Sequence, residues 1–241
     1  PGDKGMKKSR IATLIVFFVL IPLTLIVGSR LSGRAFYVTS TLVIVELLIP
    51  FFLAFEGRRP QARELVVLAV MCALAVAGRV AIPIPSFKAI FGIIMIAGIA
   101  FGPESGFVVG AISALASNFF YSQGPYTPWQ MMAYGAGGML AGFVFAEGRL
   151  PRKPVAMGIF GFLAVAFFVG PLLDTCSVFL VMSRISLKGA MAFYISGFPV
   201  NLRQAVATAI VLLVLGKPLL EKLDRIKTKY GILDDEGRKE A

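Results

Sequence analysis

Between residues 117 and 130 the chain sets aromatic rings among amides and hydroxyls, with no charge anywhere in the stretch. Phe119, Phe120, Tyr121, Tyr126 and Trp129 offer faces to stack on, while Asn118, Gln123 and Gln130 offer donors and acceptors. That mixture grips a neutral polar ligand. The same rings would also serve as a belt at a membrane surface, the commoner use of Tyr and Trp, and the interleaved amides favour the ligand. Asn201, Arg203 and Gln204 repeat the polar theme near the other end of the chain, and Arg79 and Asp174 join Arg203 as ionisable groups inside apolar runs. Such residues pair with one another, snorkel, or touch a ligand. The candidate contacts are therefore Arg79, Asn118, Phe119, Tyr121, Gln123, Tyr126, Trp129, Gln130, Asn201, Arg203 and Gln204.

Enzyme chemistry finds little to work with. There is no histidine, which removes the commonest general base and metal ligand together. No phosphate-cradling G-x-x-x-x-G-K-[ST], no H-E-x-x-H and no G-x-S-x-G occurs. Cys72 and Cys176 lie in apolar runs and read as buried thiols rather than a disulfide framework. Neither a catalytic centre, a metal site nor a cofactor is expected.

The elements that must position these side chains are membrane helices. Hydrophobic residues make up 57% of the chain and charged ones 15%, with a mean hydropathy of +0.83, values of an integral membrane protein. Apolar runs predict helices over 11–28, 36–55, 64–82, 87–101, 106–120, 127–147, 154–182 and 189–216. Glu46 lies near the middle of the second and should turn toward protein. Gly102 to Ser105 separates the fourth from the fifth, and Pro171 and Pro199 should kink the last two. Thr127 suits an N-cap, with Pro128 at the first helical position and Gln130 three residues on. The helix that follows is nearly bare on one face, with Gly138 and Gly142 four apart. Ala69, Ala73 and Ala77 form a second small-residue face, made to meet another helix. Beyond Lys217 the chain becomes amphipathic, its Leu219, Leu220, Leu223, Ile226 and Tyr230 stripe reading as a helix that lies at the cytoplasmic membrane surface.

The expected architecture is an all-α integral membrane protein. Residues 1–60 hold two accessory transmembrane helices, 61–216 a six-helix substrate-binding core, and 217–241 a cytoplasmic amphipathic tail. The net charge of +11 reflects topology and headgroup contact rather than nucleic acid. Placing both termini in the cytoplasm puts 17 of the 24 Lys and Arg residues on that side. The loops near Pro83, Tyr121 to Tyr126 and Arg184 to Lys188 then open outward.

Several segments together resemble a known family. They are Glu64-Leu-Val-Val-Leu-Ala with its alanine spacing, Gly98-Ile-Ala-Phe-Gly-Pro-Glu-Ser-Gly106, Ser117-Asn-Phe-Phe, Gly124-Pro-Tyr-Thr-Pro-Trp-Gln-Met131, Gly197-Phe-Pro-Val-Asn-Leu202 and the basic segment from Lys217 to Gly231. The chain is similar over residues 64–232 to the substrate-binding S components of energy-coupling factor (ECF) vitamin transporters, closest to the cobalamin-type members. The resemblance implies a multi-pass subunit of a prokaryotic cytoplasmic membrane that binds a vitamin, here cobalamin or a related corrinoid, from outside. It implies docking through Ala69, Ala73 and Ala77 on a transmembrane coupling protein that works with two ATPases. Another vitamin or a nucleobase-like precursor is the alternative ligand, and a non-transporting membrane sensor or scaffold the alternative function.

Overall fold

This computed structural model describes residues 35–57, 61–145, 148–182 and 186–232, together with Ile15, Leu20, Leu23 and Thr24. The first expected helix, 11–28, lies outside the described residues apart from those four, as do residues 183–185 and everything after Ile232. Every regular element among the described residues is a helix: α1 (Ala35–Gly57), α2 (Ala62–Val80), α3 (Ile90–Phe101), α4 (Pro103–Tyr121) and α5 (Thr127–Phe145), then two long helices, α6 (Pro154–Val181) and α7 (Leu187–Tyr230). Glu46 of α1 accepts a hydrogen bond from Thr24 Oγ1 at 2.6 Å, so this carboxylate does face protein.

The bundle forms around α3. All of its residues are apolar or glycine and all are buried, because a helix without a polar face has to be enclosed; α2, α4, α5 and α7 enclose it. Glycine lets these backbones touch. A Cβ on Gly138 would meet the Gly106 carbonyl carbon at 2.7 Å, one on Gly98 would fall on the Gly138 carbonyl oxygen, and one on Gly142 would meet Pro103 N at 2.6 Å. The bare face of α5 therefore packs inside this chain, against α3 and α4, by the close approach that small residues allow in lipid. By contrast Ala69, Ala73 and Ala77 of α2 are exposed.

The expected break before α4 needs correcting. Gly102 to Ser105 is not a linker: Gly102 alone turns the chain, at φ 95°, and Pro103 already occupies the first turn of α4, where its missing N–H costs nothing. In α6 five residues, Val165–Val169, widen into a π turn, and in α7 Leu212–Gly216 do the same. Each widened turn sits just ahead of a proline, Pro171 and Pro218, and contains the carbonyl four residues back that the proline cannot engage. Pro199, expected to kink α7, lies inside the helical stretch Leu187–Val211.

One end of the bundle is basic and closed by the terminal part of α7. Leu220, Leu223 and Ile232 are buried, so the stripe expected to lie on a membrane surface is docked under the helices instead. Lys227 Nζ donates to the Ala100 carbonyl at 2.6 Å, satisfying an orphan acceptor at the α3 C-terminus. Arg152 pairs with Asp224 at 3.3 Å. Lys222, Arg225 and Lys229 remain exposed, and Gly231 in the left-handed region (φ 58°) ends the helix.

Candidate functional site

At the opposite end, the last turn of α2 brings Arg79 against α4 and α5. Its Nη1 donates to Ser117 Oγ and, at 2.9 Å, to Asn118 Oδ1. The guanidinium carbon lies 4.9 Å from the Tyr121 ring centroid and 5.6 Å from that of Tyr134, within cation–π range of both. Tyr121 OH closes the loop by donating to the Arg79 carbonyl at 3.0 Å. One cation thus ties three helices, and its partners are side chains that chain order alone does not bring together.

Asn118, wholly buried, continues the network: its Nδ2 donates to Thr127 Oγ1 at 3.2 Å and to Gln130 Oε1 at 2.8 Å. Thr127 Oγ1 also accepts from Gly124 N at 3.2 Å and donates to Gln123 Oε1 at 2.9 Å. Gln123 Nε2 in turn donates to the Leu115 carbonyl. Helix α5 does begin at Thr127, yet the expected reciprocal capping box is replaced: the hydroxyl holds the 122–126 loop, and Gln130 reaches across to α4. Ser122, at φ 80°, sits in the left-handed region with its carbonyl accepting from Tyr126 OH at 2.8 Å.

In front of this network lies a cavity of about 520 Å³. Arg79, Tyr121, Tyr126, Gln130 and Tyr134 line one side of it, and Asp174, Cys176, Ser177, Asn201 and Gln204 the other. Ser86 and Lys88, from the loop joining α2 to α3, stand at its edge. That loop is held by Lys88 Nζ, which donates to the Ile82 carbonyl, and Ser86 adopts a left-handed φ of 58°. On the α6–α7 side Asn201 Nδ2 donates to Asp174 Oδ2 at 2.7 Å. Two glycines make room for the pair: a Cβ on Gly170 would meet Asn201, and one on Gly197 would meet Asp174. A second crevice, of about 540 Å³, lies against α1 and is lined by Val38, Thr41, Leu42, Pro125 and Leu180. Among the described residues that line it there is no ionisable group, and the polar side chains gather at the first cavity.

Of the candidate contacts, Arg79, Tyr121, Tyr126, Gln130, Asn201 and Gln204 line the cavity. The others do not. Asn118 and Gln123 stand behind the wall with their polar groups engaged by protein, and Phe119 is 76% exposed on the outside of α4. Trp129 packs on Phe179 of α6, ring centroids 5.4 Å apart. Arg203 is exposed on the outer face of α7. Reasoning from sequence missed Ser86, Lys88, Tyr134 and Ser177. Tyr134 carried a usable signal, since it lies four residues beyond Gln130 and so on the same face of α5; the other three carried none.

The cavity has the size of a small-molecule site, aromatic rings for stacking and polar groups on both sides to orient a ligand. A family model described as ECF-type riboflavin transporter, S component, matches residues 60–221 of the chain. No curated protein and no solved structure matches it.

Proposed function

The chain belongs to the family of ECF-type riboflavin transporter S components, and from that membership we propose that it binds a flavin-type vitamin in the cavity between α2, α5, α6 and α7. As a member it is a substrate-binding membrane subunit of an ECF transporter rather than an enzyme, and such subunits work with a transmembrane coupling protein and ATPases. The observation that carries the ligand reading is the cavity itself. Its 520 Å³ suits a planar tricycle with a short polyol, and Tyr121, Tyr126 and Tyr134 on one side offer rings for such a plane. A corrinoid, the ligand implied by the sequence resemblance, is several times bulkier and would need this end of the bundle to open.

The rest of the reading follows from membership and charge. The basic end faces the cytoplasm, the cavity faces outward, and both termini lie inside, as the distribution of Lys and Arg favours. Residues 61–216 form the binding core, 1–60 are accessory helices, and the end of α7 is a cytoplasmic tail. Ala69, Ala73 and Ala77, exposed on α2, would meet the coupling protein, where small residues permit close helix approach.

Titration of the purified subunit with riboflavin, followed by quenching of flavin fluorescence, tests the ligand. Saturable binding of riboflavin that cobalamin does not displace supports the proposal. Retention of cobalamin colour with no flavin quenching would return the ligand to the corrinoid class.

A further inference from the structure

The network behind the cavity has a hydrogen-bond direction set by donor and acceptor chemistry. A guanidinium only donates, so the Asn118 amide must turn its oxygen toward Arg79, 2.9 Å away. Its NH2 group then faces Thr127 Oγ1 and Gln130 Oε1, at 3.2 and 2.8 Å. Asn118 is 0% exposed, and turning its amide over would set NH2 against a cation and oxygen against oxygen. With Oε1 held in this way, Gln130 has its own NH2 left over. None of the hydrogen bonds among the described residues uses that group, and Gln130 lines the cavity.

We propose that Asn118 is a positioning residue that makes Gln130 present a donor to the ligand, so that the cavity selects a vitamin with a carbonyl or ring-nitrogen acceptor at that edge. The proposal rests on the flavin reading of the same cavity. The α6–α7 side is richer in acceptors: one Nδ2 hydrogen of Asn201 goes to Asp174 Oδ2, and the other carboxylate oxygen and the Asn201 oxygen remain as acceptors beside the second Nδ2 hydrogen. A flavin matches both sides, with acceptors along its pyrimidine edge and ring nitrogens, and hydroxyl donors along its polyol. Asn118 never touches the ligand; it decides which atom of Gln130 does.

The test combines two variants with a set of ligands. Gln130→Glu places a second acceptor at the cavity while still accepting from Asn118. Asn118→Asp removes the NH2 and forces Gln130 to turn its own NH2 inward, exposing oxygen to the ligand. Affinities for riboflavin, 5-deazariboflavin, 2-thioriboflavin and 4-thioriboflavin are measured by fluorescence or absorbance titration, alongside ligand-free melting. Wild-type protein should bind one analogue about tenfold more weakly than riboflavin, because a buried donor is then left unmatched. In both variants riboflavin itself should weaken about tenfold, and the penalty for that analogue should shrink to within about twofold. A folded Gln130→Glu protein that keeps riboflavin affinity within about twofold, or that keeps the analogue penalty, overturns the proposal. So does an Asn118→Asp protein that melts earlier and weakens toward all four flavins equally, the mark of a structural role alone. Wild-type protein that binds none of the four overturns the flavin reading and this proposal with it, an outcome distinct from binding without discrimination.

Discussion

Replacing Arg79 by Met removes the group on which the cavity wall is assembled. The guanidinium donates to two side chains of α4 and lies over the Tyr121 and Tyr134 rings at 4.9 and 5.6 Å. Hydrogen bonds to a charged group contribute about 1.5–3 kcal/mol each, and a part-exposed cation over a ring about 0.5–1 kcal/mol. Against this, methionine restores apolar contact with the two rings, and no charge remains to be kept out of water. The Asn118 oxygen, wholly buried, is left without its donor, which is itself a cost of about 1–3 kcal/mol. A net loss of about 3 kcal/mol follows, equivalent to a fall of about 6–12 °C in the melting midpoint of a chain this size. The assay is thermal unfolding of the ligand-free protein in detergent at a fixed scan rate, followed by flavin titration well below the midpoint. Affinity should fall about tenfold as well, because Asn118 is then free to turn over and Gln130 loses its set direction. Arg79→Lys keeps the charge but offers a point donor in place of a planar fork, so it should recover roughly half of the lost stability. An Arg79→Met protein that melts within about 2 °C of wild type would refute the network argument. An Arg79→Lys protein equal to wild type would show that only charge matters there.

Tyr126→Ala should weaken flavin binding by about 1 kcal/mol or more, whereas Trp129→Ala, which removes a ring packed on Phe179, should lower the melting midpoint and leave affinity within about twofold; both are read by the same titration and melting curve. Gly138→Ala should cost about 1–3 kcal/mol through overpacking, since the new Cβ would sit 2.7 Å from the Gly106 carbonyl carbon, and melting measures it. Ala73→Leu, on the exposed face of α2, should leave flavin binding by the isolated subunit intact and abolish ATP-dependent uptake in cells; normal uptake would remove that face from the docking proposal. Lys227→Met should expose the α3 C-terminus by leaving the Ala100 carbonyl unsatisfied, seen as faster proteolysis of the α7 end with flavin affinity unchanged.

Much of the fold could be read along the chain because its signals are local. Apolar runs bounded by Gly and Pro located α1 to α6 to within a few residues, and the start of α5 at Thr127 follows from Pro128 beside it. The glycine spacing of α5 announced a close helix contact, as seen at Gly98, Gly106 and Pro103. Where the reading failed, a local rule had a non-local answer. The Leu220 and Leu223 stripe was assigned to the membrane surface because periodicity marks an apolar face without saying what covers it, and the bundle covers it here.

The candidate site divides along the same line. Composition and residue type alone determined that this is a helical membrane protein, and that aromatics and amides gather near residues 117–130. The segments that resemble S components were also readable, because each is contiguous. Only the tertiary structure decided which of those side chains line the cavity. Phe119 and Asn118 are adjacent, yet one is 76% exposed and the other 0%, because successive residues on a helix point about 100° apart and the direction of the core is set by the neighbouring helices. Likewise Arg79 and Asn118, 39 positions apart, meet because α2 and α4 pack side by side. Sequence spacing records who is near along the chain; the hydrogen-bond sense of the cavity comes from who is near across it.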